Sequence, residues 1–299
     1  RESTMPPTIA LLLTISFIGL SFWVDRKKNP GVSPALWLPF LWLFFIGTRF
    51  PSQWIELGPQ SPNATDYQEG SPIDQIVYFS ILFSGLATLL ARKTEISRYI
   101  SLNASIALFL GYCLASVMWS DYPWTALKRF IKVLEHVVMV LVVLTDRNPQ
   151  QAIDSLFRRF LAPAVTLSVL FIKYYPEIGR GFSLWTGQAF NTGATLDKNA
   201  LGHICAVGLV FLVSTYASPL HRAIGNKIRT ARYVDLTLLA SMVWLLHLAD
   251  AKTALACAMI GVGVVLLFAR ANASSQIPKI LVIGLLLSVL GFLLEYSFG

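Results

Sequence analysis

The chain has 299 residues, 55% of them hydrophobic and only 13% charged, whereas an ordinary soluble domain carries roughly 25% charged residues. With a mean hydropathy of +0.61, a soluble globular protein and an intrinsically disordered one are both excluded. What remains is an all-α polytopic membrane protein. The formal net charge of +8 would suggest nucleic-acid binding in a soluble protein. Here it follows from cytoplasmic loops that collect Lys and Arg, so no nucleic-acid partner is expected.

A membrane helix needs about 20 mostly apolar residues. About ten such spans are predicted, at 7–24, 34–50, 73–91, 99–119, 129–145, 160–175, 200–217, 234–249, 251–269 and 277–294. They use most of the sequence, so residues 1–299 are expected to form a single transmembrane helical domain with no soluble domain between spans. The first span lacks an A-x-A cleavage site and reads as retained. The weakest is 34–50, which carries Pro39 and ends at Arg49, and a broken or re-entrant helix is open there. Spans 234–249 and 251–269 are separated by Asp250 alone. They need either a tight turn or an irregular stretch. Cys113, Cys205 and Cys257 fall inside apolar segments and read as small core residues, with neither a disulfide nor a metal.

Orientation follows from the basic residues. The odd-numbered connections (25–33, 92–98, 146–159, 218–233 and 270–276, with Lys279 at the edge) hold 15 Lys and Arg, against 8 in the even-numbered connections and their flanks. This bias puts the odd connections in the cytoplasm and both chain ends outside. Two outer connections stand out. Residues 48–72 are acidic, with Glu56, Asp66 and Glu69 against Arg49. Residues 174–199, YYPEIGRGFSLWTGQAFNTGATLDKN, are polar, aromatic and basic together. A long connection among minimal ones is where function is expected.

Three groups of cations lie at membrane depth on this outer side. In WSDYPWTALKRFIKVLEH, Arg129, Lys132 and His136 are spaced three and four apart and share a helical face, with Lys128 and Glu135 close by. Cations there are costly if they face lipid, so the three are expected to face the bundle interior as an anion site. The structural alternative is an interfacial helix whose Lys and Arg snorkel to headgroups. In ATLDKNALGHICA, Lys198 and Asn199 open a helix whose free N–H groups suit a phosphate. Asp197 is the predicted N-cap, Gly202 allows a close approach one turn later, and Arg180 joins from the long connection. His203 shares a face with Asn199. The alternative is plain capping. In LHLADAKTALA, Asp250, Lys252 and Thr253 sit between two apolar runs, with His247 a turn earlier. They either pair with each other or line a cavity.

The sequence has no H-E-x-x-H, no paired cysteines, no D-x-D carboxylate cluster and no P-loop. Neither a metal nor a cofactor is expected, and no residue is assigned as catalytic.

Several segments together resemble the O-antigen ligase and polysaccharide polymerase superfamily, particularly its exopolysaccharide-production and O-antigen polymerase members. They are TRFPSQW (48–54), EGSPID (69–74), WSDYPWTALKRFIKVL (119–134), KYYPEIGRGFSLWTG (173–187), GATLDKNALG (193–202) and ADAKTALA (249–256). One departure is Ala251, where the family's S-K-T element has Ser. Family members continue into a large outer loop and further spans, so the resemblance implies that the chain is incomplete at its C-terminus and that any general base lies beyond Gly299.

The resemblance implies glycosyl transfer, or polymerisation, at the periplasmic face of the bacterial inner membrane. The donor would be a glycan on undecaprenyl diphosphate, and the acceptor another lipid-linked glycan or a lipid A core. A polysaccharide export complex and the lipid bilayer are the implied surroundings. The leaving group is a diphosphate, and fixed Arg and Lys in a low-dielectric cavity would stabilise its charge without a metal. Residues and resemblance together assign diphosphate binding to Arg180, Lys198 and Asn199, with Arg129 and Lys132 from a facing helix. The candidate cavity-lining residues are His136, His203, Asp250 and Lys252. Trp119, Trp124, Trp185 and Phe190 either stack on sugar rings or belong to interfacial belts.

Two other classes stay open. A transporter or flippase of lipid-linked oligosaccharide would use the same cations, but internal repeats would favour it and none is found. A non-catalytic membrane component of polysaccharide export would have little use for intramembrane cations, which usually mark function.

Overall fold

The computed structural model describes residues 5–56, 71–93, 96–182, 187–217 and 229–270. The predicted span 277–294 and Trp185 lie outside the described residues. The chain runs through α1 (Pro7–Lys28), a 3-10 turn (Pro34–Leu36) leading into α2 (Trp37–Gly47), α3 (Pro51–Ile55) and α4 (Pro72–Ala91). It continues through α5 (Ile96–Leu102), α6 (Ala104–Ala115) with a 3-10 turn at Ser116–Trp119, α7 (Pro123–Leu144) and α8 (Pro149–Tyr174). Then come α9 (Pro176–Gly179), strands β1 (Arg180–Phe182) and β2 (Ala189–Asn191), α10 (Lys198–Ala217), α11 (Arg229–Leu248) and α12 (Lys252–Arg270). Pro7, Pro51, Pro72, Pro123, Pro149 and Pro176 each open a helix, where the missing N–H costs nothing and the fixed φ already suits the turn.

Six described helices are long and apolar enough to cross a membrane: α1, α4, α8, α10, Thr230–Leu248 of α11 and Lys252–Ala269 of α12. Two apolar helices are shorter, Pro34–Gly47 and Ala104–Trp119. Helix α7 has the length, with 22 residues, but carries the charges of its KRFIK segment.

The centre of the bundle is α8. In its most apolar stretch 72% of residues are buried, against 11% in α12. Phe160, Leu161, Ala164 and Val165 of α8 share one core with Leu201, Cys205 and Leu209 of α10, Met242 and Leu245 of α11, and Ala254 of α12. Lipid tails are as apolar as these side chains, so close packing rather than exclusion from water drives the association. Glycines permit it. A Cβ on Gly208 would lie 2.7 Å from Leu161 Cδ2, and one on Gly202 would lie 2.7 Å from the Ala251 Cβ. A second core joins Ile81, Leu82 and Leu89 of α4 to Val138, Met139 and Val142 of α7. The outer surface is strongly apolar, with Leu12, Ile76, Phe83, Leu108 and Met259 all exposed, as a lipid-facing surface requires.

Several sequence expectations change in detail. Helix α8 begins at Pro149 rather than at residue 160, so Arg158 and Arg159 belong to a buried helix and not to a connection. The expected span 99–119 is broken at Asn103, whose φ of −127° and ψ of 46° leave the helical region. Span 34–50 is a short helix that stops at Gly47, with Thr48 non-helical before α3. The 174–199 connection is not irregular: it folds into α9 and an antiparallel hairpin pairing Arg180 with Asn191 and Phe182 with Ala189. Between α11 and α12 the tight turn is realised. Asp250 takes φ +48°, a left-handed conformation that Asp tolerates better than most residues. Cys205 is buried, but Cys257 is exposed, so it is not a core residue.

Candidate functional site

The helices run alternately up and down, which sorts the polar residues into two ends. At the end carrying α9 and the hairpin, three separate stretches of sequence converge. Thr192 N and Gly193 N both donate to Gly179 O, at 2.9 and 3.0 Å. Gly179 packs so closely on α8 that a Cβ there would lie 2.5 Å from Ile172 N. Asn191 Nδ2 donates to Leu248 O at 3.0 Å, tying the hairpin to the α11–α12 turn. That bond brings the Arg180, Lys198 and Asn199 group to the same cap as Asp250 and Lys252.

Arg180 is exposed, and its Nη2 donates to Ile172 O at 3.3 Å. Lys198 is half-buried, and Asn199, His203, Asp250 and Lys252 are exposed. Asp250 and Lys252 form no ion pair with each other among the described residues. Asp197 is the N-cap as expected: its Oδ1 accepts from Asn199 N at 2.7 Å and from Ala200 N at 2.9 Å. The cap has a consequence for the site. It occupies two of the N–H groups expected to meet a phosphate and adds a negative charge, so anion binding at this end falls to the Arg and Lys side chains.

Arg49 is the residue of this end that sequence reasoning missed. Only 4% exposed, it donates through Nη2 to Ile178 O at 2.6 Å and reaches Gly193 O at 3.5 Å. Its Nε is buried without a partner among the described residues. Burial pushes its pKa down, and no carboxylate pairs with it among the described residues. The guanidinium clasps the two ends of the α9–hairpin unit. The available signal was a cation directly after an apolar run, which the sequence reading counted only toward orientation. Nearby, Asp74 accepts from Ser52 N and Oγ at 2.8 and 2.9 Å, which seats α3 on α4.

The α7 cations form a second group at the same end, and none of them is buried in the bundle core. Arg129, Lys132 and His136 are all exposed; the inward position on this helix is Glu135, 3% exposed. The physical reason lies in the apolar positions. Val138, Met139 and Val142 must meet α4, and that register turns the basic stripe away. Arg129 nevertheless lines a cavity of about 500 Å³ with Ser116, Ser120, Tyr122 and Thr125. His136 packs edge-on against Trp42, ring centroids 4.9 Å apart. Among the described residues no hydrogen bond or ion pair joins this group to Arg180 or Lys198. The principal neighbours of α7 are α4 and α2, and those of α10 are α12 and α11. Of the four candidate aromatics, Trp119 and Trp124 are exposed and Phe190 is half-buried over Gly181.

The opposite end holds a buried ionic network that the sequence did not reveal. Asp25 accepts from Arg159 Nε at 2.7 Å and from Ser155 Oγ at 2.6 Å. Asp154 pairs with Lys28 at 3.3 Å and with Arg158 at 2.9 Å. Arg158 also pairs with Asp235, which accepts from Tyr216 Oη at 2.6 Å. Asn29 bridges Asp25 and Asp154 at 2.9 and 3.1 Å. Arg92 pairs with Asp146 at 3.1 Å, and Ser33 Oγ donates to the same carboxylate oxygen at 2.6 Å. Three carboxylates face three cations in the first cluster, so the charge is balanced. Its chemistry is cohesion between α1, α8, α10 and α11.

Six described helices long and apolar enough to cross a membrane, packed on apolar cores with an ionic network at one end, define the class: a polytopic α-helical membrane protein. No protein-family model matches the chain, and no curated protein or solved structure matches it either.

Proposed function

We propose that the chain transfers or polymerises glycan from an undecaprenyl-diphosphate carrier at the periplasmic face of the bacterial inner membrane, in O-antigen or exopolysaccharide assembly. The observation that carries this reading is the hairpin cap, which gathers Arg180, Lys198 and Lys252 at one end of an apolar bundle through the Asn191–Leu248 bond. A departing diphosphate needs fixed positive charge where its oxygens develop charge. Arg grips two oxygens at once and Lys acts as a mobile point charge. Arg129, at its own cavity on α7, offers a second cationic position on the same side. The apolar exterior accommodates a polyprenyl tail. The sequence segments that resemble the ligase and polymerase superfamily point the same way, and six described helices of crossing length supply the membrane frame. The acceptor in this reading is a second lipid-linked glycan or a lipid A core, and the reaction is metal-independent.

The test is a membrane assay with a labelled polyprenyl-diphosphate glycan. Elongated or transferred product is the expected result. Translocation without product would make the chain a flippase of lipid-linked oligosaccharide. Neither would leave it as a non-catalytic component of polysaccharide export.

A further inference from the structure

The ionic end contains a cavity that the glycan chemistry does not use. It has a volume of about 590 Å³ and lies between the end of α1, the 3-10 turn before α2, and α8. That volume falls in the range of about 300–1,000 Å³ typical of small-molecule sites. Two cations line it. Arg159 is more than nine-tenths buried and spends its Nε on Asp25 at 2.7 Å. Its guanidinium lies 5.0 Å from the Trp37 ring centroid. No protein acceptor among the described residues bonds its Nη nitrogens, whose fork remains for a ligand. Arg26 is exposed at the rim and has no ion-pair partner among the described residues. No carboxylate lines the cavity; the polar remainder is Asn29 and Ser33, whose side chains already serve Asp25, Asp154 and Asp146.

The rest of the wall is aromatic and prolyl. Trp23 and Trp37 are 48% and 42% exposed, and Lys27 sits 3.7 Å over the Trp23 ring. Tryptophans with one apolar side and one wet side collect at the headgroup level of a bilayer. The cavity therefore combines a guanidinium pair suited to two phosphate oxygens with an apolar wall beside it, at the level where a helix leaves the membrane. Basic pockets of this kind between membrane helices hold anionic headgroups. A soluble anion would use the two arginines and gain nothing from the tryptophans.

We propose that this cavity binds the phosphate headgroup of an anionic bilayer lipid, gripped by Arg159 and Arg26 and flanked by Trp23 and Trp37. Arg159 then has two partners, Asp25 inside and the lipid outside, so the bound headgroup extends the network that joins α1 to α8.

The test uses the full chain in nanodiscs of equal phosphatidylglycerol and phosphatidylcholine, with retained lipid identified by native mass spectrometry. Phosphatidylglycerol should be enriched about tenfold on the protein. The enrichment should fall to parity in Arg26→Gln with Arg159→Lys, which keeps a cation beside Asp25 but removes the fork. Arg26→Gln alone, at an exposed position that cannot unfold the bundle, should lower it severalfold. In detergent, phosphatidylglycerol should raise the melting temperature and inorganic phosphate should not. Equal retention of the two lipids, or enrichment that survives both variants, would overturn the proposal. A melting shift from inorganic phosphate as large as that from the lipid would overturn it as well, by making this a free-phosphate site.

Discussion

Arg49 donates to the carbonyl of Ile178 at 2.6 Å, across 129 residues of sequence, and so the corner between α2 and α3 fixes the position of the hairpin. Among the described residues this buried guanidinium bonds main-chain oxygens alone. Removing it leaves the carbonyls of Ile178 and Gly193 short of a donor, a cost of about 1–3 kcal/mol for a buried polar group. Arg49→Ala is therefore expected to loosen the cap while sparing the opposite end. Hydrogen exchange at the amides of Thr192 and Gly193 should quicken about tenfold or more, with the helical amides around Ser155 unchanged. Uniform quickening along the chain would mean that Arg49 supports the whole bundle and not the cap.

The membrane class and most long helices were legible because hydropathy is a local signal. The cap at Asp197 was legible because its signal is local as well. Arg158 and Arg159 were misread because a cation in sequence looks like a loop cation until its partners are known. Asp25 and Asp235 lie more than seventy residues away on either side. The exposure of Arg129 and Lys132 was hidden for a related reason. Helical spacing tells which residues share a face, but the packing of Val138 and Met139 against α4 decides where that face points. The hairpin was invisible because three-residue strands carry too little periodicity to register.

The Arg158–Asp235 pair gives a stability prediction. Arg158→Ala should destabilise the bundle by about 3–5 kcal/mol, because it leaves the buried Asp235 without its cation; Asp235→Asn should cost less, since Arg158 keeps Asp154 at 2.9 Å. Arg158→Met with Asp235→Leu should recover most of that loss, since two apolar groups leave neither charge behind. Thermal or denaturant unfolding in detergent measures both. Equal destabilisation by the single and double variants would show that Asp154 and Tyr216 depend on the pair as well.

Glu135 predicts the opposite sign. Among the described residues its buried Oε1 has no partner, and Trp42 Nε1 and Tyr78 Oη are likewise unpartnered, in the region where α2, α4 and α7 meet. Burying a polar group without a hydrogen bond costs about 1–3 kcal/mol by mutational measures. Glu135→Leu should accordingly raise the melting temperature. A lower melting temperature would show that Glu135 has a stabilising partner, such as an ordered water shared with Tyr78.

The topology rests on the distribution of Lys and Arg. Two of the basic residues counted in the connections expected in the cytoplasm, Arg158 and Arg159, are buried in α8, but the remaining bias keeps its sign. A reporter fused at Gly187 should respond as outside, and one at Asn226 as inside. A cytoplasmic signal at Gly187 would put the hairpin cap on the cytoplasmic side and rule out the proposed periplasmic chemistry.

The decisive prediction concerns the diphosphate itself. Arg180 stands at the start of β1 opposite Asn191, and Lys198 opens α10 beside the Asp197 cap. Arg180 is exposed and makes one long bond, to Ile172 O at 3.3 Å, while Lys198 is half-buried; the hairpin itself is held by the Thr192 and Gly193 bonds to Gly179 O. Arg180→Ala or Lys198→Ala should lower glycan transfer by tens-fold or more, since each removes roughly 2–4 kcal/mol of charge stabilisation from the departing diphosphate. The amount of protein in the membrane should stay near normal. Asp197→Ala separates charge from capping. Losing the cap costs α10 about 1 kcal/mol, while the helix N–H groups and the neighbouring cations are freed of a competing carboxylate, so donor binding should strengthen even as the melting temperature falls. Wild-type transfer in both Arg180→Ala and Lys198→Ala would move the site to the Arg129 cavity, where Arg129→Ala would then carry the loss.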